Sequence, residues 1–392
     1  MMAADTPPGS TSATGSASTD RFEDVDWDEL GGLGLPRRTR YLVVSALVYT
    51  AAVGYDVFLT EDALISGTNW LFLLTLLAGT FFVAWPLAEN KRLTAYYWRR
   101  FKKNRAAVVS ALYLLVVFVL GTFGPLFIAK PELNVLAAYQ PPMFLGVDSS
   151  VPSTCVGTVA DGVCQGTWKY PLGTTSDGKG IARLVVFGMR VSMQVGLITM
   201  LIVISIGTVV GTSAAYFGDL VDELLMRYVD IQQTFPTFFL FLIVTYLFKP
   251  SLFLLITIFG FLGWGGIARL VRSEALQRRE EEYIRAAENA GASDGWIIRR
   301  HLMPNVSNTV ITAATLLIPS FILFEATFAF LGLTDPATPS WGQVIASGRG
   351  DLDSAWWIAT IPGVFLFCTV LAFNFVGDAL RDALDPRSEG DA

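Results

Sequence analysis

Few residues in this chain could carry out covalent chemistry, and their spacing suits none of the usual schemes. One histidine, His301, and three cysteines, Cys155, Cys164 and Cys368, leave too little for a zinc or haem site. That single histidine would also have to be the base of any Ser-His-Asp hydrolase; it reads instead as a polar helix residue. Gly173-Thr-Thr-Ser-Asp-Gly178-Lys179-Gly180 comes close to a phosphate-binding loop. That motif needs Ser or Thr after the lysine to hold magnesium, and Gly180 has no hydroxyl. Asn305-Val306-Ser307 spells a glycosylation acceptor but falls in a connector assigned below to the cytoplasm. A different chemistry is open to Glu325, Asn374 and the pair Gln232 and Gln233, which sit inside apolar stretches. Polar groups there either line a solute path or bridge helices. No catalytic, cofactor-binding or metal-ligating set is expected.

The elements that hold these residues are membrane helices. The chain has 392 residues, 53% hydrophobic and only 16% charged, with a mean hydropathy of +0.50; soluble domains carry about a quarter charged residues. A net charge of −6 argues against a nucleic-acid partner. Eight apolar stretches, at 41–59, 70–88, 106–128, 192–216, 231–248, 251–268, 309–333 and 355–376, are near the length that spans a bilayer. Continuous apolar runs select helices over a barrel, so the fold expected is all-α, a polytopic helix bundle. Trp356 and Trp357 read as interfacial anchors of the last stretch.

Lys and Arg gather in 1–40, in the connector before 106 and in 269–308, which places those segments and both termini in the cytoplasm. The polar, acidic segment 1–40 reads as a disordered tail. The outer loop 129–191 contains Cys155 and Cys164, separated by an Asp161-Gly162 turn signal, and a disulfide between them is expected; Cys368 is expected to stay a free thiol. Its last stretch is expected to lie along the membrane. In 269–308, Arg-Glu-Glu-Glu-Tyr-Ile-Arg-Ala-Ala-Glu-Asn-Ala-Gly reads as a short helix closed by Gly291. Ser293 or Asp294 would cap a second helix, which Pro304 would stop.

At 284–305 this knuckle resembles the EAA motif of ABC-transporter permease subunits: Ala286, Ala287, Gly291 and Pro304 fall on its positions. Arg285 stands where the first Glu would be, His301 for the Ile and Met303 for the Leu. The Arg-His and Met-Pro-Asn steps are similar to the dipeptide/oligopeptide branch. The run 101–114, the loop 170–196 and the closing segment 373–387 resemble that branch too, although Thr175, Lys179 and Gly180 depart from the loop's usual Asp, Arg and Asp.

The resemblance implies a six-helix permease core over 101–387, with 41–100 supplying two additional transmembrane helices and a basic connector. It implies the permease subunit of an ATP-driven importer of dipeptides or oligopeptides; the alternatives are a stand-alone secondary transporter, or an ABC permease for a non-peptide solute such as a metal or sugar. It further implies a second homologous permease subunit, two cytoplasmic ATPase subunits carrying ATP and Mg, and an extracellular solute-binding protein. Residues assigned by it to ATPase coupling are Tyr283, Arg285, Ala286, Ala287, Gly291, Ala292, Ser293, His301 and Pro304. Gln232, Gln233, Glu325 and Asn374 remain candidates for the path.

Overall fold

A computed structural model describes residues 37–60 and 64–384; the expected tail lies almost wholly outside them. The chain divides into two compact units at Val48. The first contributes the opening turns of α1 (Arg37–Phe58), whose Tyr41, Val44, Leu47 and Val48 are exposed, as suits contact with lipid.

The second unit, from Tyr49 onward, holds the rest. Its helices are α2 (Gly67–Glu89), α3 (Lys91–Phe101), α4 (Arg105–Phe127), α5 (Ile181–Phe217), α6 (Asp219–Thr234), α7 (Thr237–Leu247), α8 (Leu252–Leu262) and α9 (Gly265–Arg279). There follow α10 (Glu282–Asn289), α11 (Asp294–Ile297), α12 (Met303–Phe330), α13 (Trp341–Gly348) and α14 (Trp357–Leu384). Between α4 and α5 lie three short antiparallel strands, β1 (Gly146–Asp148), β2 (Val159–Ala160) and β3 (Val163–Gln165), with β3 in the middle. The chain is a multi-pass membrane protein: seven of its described helical stretches are long and apolar enough to cross a bilayer.

The fifth expected span differs. The stretch 231–248 is divided at Phe235 and Pro236, leaving α7 with 11 residues, about 16 Å at 1.5 Å per residue and short of a roughly 30 Å hydrocarbon core. Pro236 donates no backbone hydrogen bond, and the residue before a proline is pushed out of the helical region; Phe235 sits at φ −77, ψ 126. Any crossing here needs α6 and α7 in series. The neighbouring helix is interrupted too, between α8 and α9 at Gly263 and Trp264.

At the centre is α5, 37 residues long and about 55 Å from end to end. It takes in 181–191, so the close of the outer loop continues the span instead of lying flat. Gly207 and Gly211, four residues apart, let α9 approach closely. A Cβ on Gly211 would meet the Ala268 carbonyl oxygen at 2.5 Å and one on Gly207 the Ile267 side chain at 2.7 Å. The hairpin α1–α2 is closed by Asp56, which accepts from Trp70 Nε1 at 2.8 Å and Leu64 N at 2.7 Å. Helix α2 reaches α5 through Asn69 Oδ1, which accepts from Arg190 at 3.0 Å and Gln194 at 2.8 Å. These bonds satisfy polar groups that lipid could not.

Candidate functional site: the knuckle between α9 and α12

Helix α10 ends in a turn whose geometry accounts for Gly291. Ala292 N donates to Ala287 O at 3.1 Å and Gly291 N to Glu288 O at 2.9 Å, while Gly291 has φ +81. That is the Schellman arrangement, which needs a left-handed residue just past the helix. A Cβ on Gly291 would meet nothing within 4 Å, so the requirement is conformational, not steric crowding within this chain. Ala287 and Ala292 pack beside the core, whereas Arg285, Ala286 and Gly291 are exposed.

The second half departs from expectation. Ser293 stands at the start of α11, but its hydroxyl makes no capping bond; its carbonyl accepts from Trp296 N and Ile297 N. The Asp294 carboxylate instead accepts from Tyr216 Oη at 2.9 Å. Pro304 does not stop the helix: a π-helical turn, Ile298–Leu302, precedes it and α12 runs on to Phe330. The wider turn removes the clash between the proline ring and the carbonyl four residues back. Pro86 in α2 follows the same device, after a π turn at Thr80–Ala84.

Four apolar side chains root the knuckle, with Ile284 1% exposed and Ile297, Leu302 and Val306 0%. Above them His301 lies between two aromatic rings, 5.7 Å from Tyr283 and 5.0 Å from Trp296. Asn305 Nδ2 bridges Tyr283 Oη at 3.2 Å and His301 O at 2.7 Å. Burial pushes the Tyr283 phenol above its ordinary value, so it is a neutral hydrogen-bonding group near pH 7. The result is a short helix, a sharp turn and an aromatic shoulder of which Trp296 is half exposed. Such a surface can enter a groove; it has no nucleophile and base in register.

Sequence reasoning did not single out Trp296 or Tyr216, nor the structural roles of Asn305 and Asp294. Residues 301 and 305 do fall at helical spacing, but Tyr283 lies across the Gly291 turn, and Tyr216 and Asp294 are 78 positions apart and leave no local signal. Arg279 adds a second tie to the end of α5, donating to Ala215 O at 3.2 Å, and Arg272 pairs with Asp222 of α6.

The four path candidates are dispersed. Gln232 is buried and donates to Phe261 O at 3.0 Å, closing the end of α8 at the interruption, while its Oε1 has no partner. It borders a recess of about 290 Å³ with Tyr228 and Phe235. Gln233 is exposed beside Gly265. Glu325 is 1% exposed in α12, near Ser340, with Oε1 unpaired. Asn374 is exposed on α14 and donates to Val370 O of its own helix at 2.8 Å.

At the opposite end of α5 the loop is tightly ordered. Cys155 and Cys164 form a disulfide with Cα atoms 5.8 Å apart; Asp161 and Gly162, both at positive φ, turn β2 into β3. Buried Gln140 donates to Thr154 O at 2.7 Å and accepts from Val156 N at 2.9 Å. Trp357 is fully buried, its Nε1 donating to Thr174 O at 3.1 Å, so only Trp356 keeps the exposure of an interfacial anchor. Gly173–Gly180 is a tight turn in which Thr175 N donates to Lys179 O at 3.0 Å. Cys368 is a free thiol.

Comparison with known proteins gives a consistent answer. Residues 207–390 match the family described as binding-protein-dependent transport system inner membrane component, and 93–142 match the N-terminal TM domain of oligopeptide transport permease C. The OppC oligopeptide permease protein of Haemophilus influenzae is 32% identical over 76% of this chain and 90% of its own length. The Escherichia coli K12 OppC is 35% identical over 76% and 93%, and the DppC dipeptide permease protein of Alkalihalophilus pseudofirmus 32% over 77% and 94%. This chain belongs to the binding-protein-dependent transport system inner membrane components, the ABC permease family that includes OppC and DppC.

Proposed function

We propose that this permease subunit carries dipeptides or oligopeptides, and that its α10–α11 knuckle receives the motion of ATPase subunits that bind ATP and Mg in its place. The carrying observation is the knuckle itself: exposed Ala286 and a Schellman turn at Gly291, rooted by buried Ile284, Ile297 and Leu302. Small side chains allow close approach, and a turn held by two hydrogen bonds transmits force instead of absorbing it. Tyr216 of α5, the helix that runs to the far end of the bundle, bonds Asp294 at the start of α11, and Arg279 ties the end of α9 to the same helix.

In this reading Tyr283, Arg285, Ala286, Ala287, Gly291, Ala292, Ser293 and His301 meet or support the ATPase, and Pro304 leads the motion into α12. The knuckle end and both termini face the cytoplasm, supported by the Arg and Lys clusters. The disulfide-bearing end faces outward, where a solute-binding protein delivers cargo to a path shared with a second permease subunit. Peptide as cargo follows from the OppC and DppC relatives. Purifying the tagged chain from its own cells in mild detergent tests this. Co-purification of two ATPase chains and a second permease, with peptides recovered from the associated binding protein, is expected. Absence of any ATPase contradicts the coupling role; a metal or sugar in the binding protein contradicts the cargo.

A further inference from the structure

Helix α3 and the turn after it carry a concentrated positive charge. From Lys91 to Arg105 there are seven Lys or Arg residues and no Asp or Glu. The segment joins two membrane-spanning helices, α2 and α4, and packs against α14. The end of α14 in turn meets the start of α12, where Asn308 Nδ2 donates to Leu384 O at 3.4 Å. Helix α3 therefore lies at the knuckle end of the bundle, where a spanning helix enters water.

Its aromatic residues fit that boundary. Trp98 is 47% exposed and stacks on Phe101 at 5.7 Å. Lys102 Nζ stands 5.2 Å over the Trp98 ring, and the Arg100 guanidinium 4.9 Å over Tyr96. Trp and Tyr rings settle at headgroup depth, so cations held on them stay at that depth. Five of the seven cations also lack a carboxylate partner among the described residues. On α9 of the same end, Arg269, Arg272 and Arg278 each pair with a carboxylate, from Asp230, Asp222 and Glu274. Among the described residues no carboxylate pairs with Lys91, Arg92, Arg99, Lys103 or Arg105.

We infer that α3 and its following turn form a binding surface for anionic phospholipid headgroups. Two features recommend this over a generic inward positive charge: Lys91, Arg92, Arg99, Lys103 and Arg105 have no carboxylate partner among the described residues, and aromatic rings fix the depth of Arg100 and Lys102. Each basic side chain near an anionic surface changes partitioning roughly fivefold.

The test uses the full chain in detergent, with native mass spectrometry counting retained phosphatidylglycerol or phosphatidylcholine of matched acyl chains. Phosphatidylglycerol is expected to be retained more strongly. Combining Arg92→Gln, Arg99→Gln and Lys103→Gln should weaken it on the order of 100-fold and leave phosphatidylcholine unchanged. The charge-keeping set Arg92→Lys, Arg99→Lys and Lys103→Arg should preserve retention. Should the triple neutralisation fail to give a monodisperse protein, Arg99→Gln alone should show a roughly fivefold loss. Equal retention of the two lipids, no loss on neutralisation, or full displacement by inorganic phosphate would overturn the inference.

Discussion

The two ends of α5 are held in different ways. At the hairpin end a disulfide, the Gln140 bridge and two buried tryptophans fix the loop to the helices: Trp357 Nε1 donates to Thr174 O, and Trp341 Nε1 donates to Val185 O at 3.1 Å. At the knuckle end the attachment beyond apolar packing is Tyr216 to Asp294 and Arg279 to Ala215 O. Under the proposed function one end is a platform and the other a handle. A bundle that must convey motion needs both, because a force applied to the handle does nothing if the far end yields.

The sharpest break of this comparison is all-or-none labelling. With the native cysteines replaced, a cysteine at Gly67 should react with an impermeant thiol reagent from outside intact cells, and one at Gln277 only after permeabilisation. The reverse pattern would reverse the assignment of platform and handle. Next in size is Trp341→Ala. It removes a fully buried ring whose neighbour Gly188 leaves it no slack, since a Cβ there would meet Trp341 at 2.3 Å. A loss of about 3–5 kcal/mol is expected, read as a lower thermal unfolding midpoint in detergent; an unchanged midpoint would remove Trp341 from the platform. Replacing Cys155 and Cys164 by Ala frees a nine-residue separation, worth about 2–3 kcal/mol in the chain-entropy account. Faster protease nicking within 146–165 should follow, with helical content retained.

The smallest stability effect belongs to the handle. Tyr216→Phe deletes one hydrogen bond of about 1 kcal/mol. Solute uptake per ATP hydrolysed should fall while thermal stability barely moves. Asp294→Asn keeps an acceptor oxygen and should retain more coupling than Asp294→Ala. Equal coupling in the two Asp294 variants would show that the bond carries no motion.

What could be read from the sequence follows from how local each signal is. Apolar runs announce helices wherever they occur, and Gly291 after an Ala-rich amphipathic turn announces its own cap. The break at Pro236 was visible as a proline but not as an end to the span, because the apolar run continues across it. The extension of α5 back to Ile181 was hidden by Arg190 and Gln194, polar residues that Asn69 satisfies from a distant helix. Trp357 reads as a boundary residue beside Trp356 until the loop folds over it. Pro304 reads as a stop because a π turn leaves no sequence mark.

Gly291→Val tests the central claim most directly. The left-handed conformation costs a β-branched residue on the order of 1 kcal/mol or more, and a Cβ at this position meets nothing within 4 Å in this chain. The measurement is solute uptake and ATP hydrolysis by the assembled transporter in vesicles, at matched subunit abundance. The account predicts normal insertion and assembly, persistent hydrolysis and loss of uptake; uptake at the wild-type rate would contradict it.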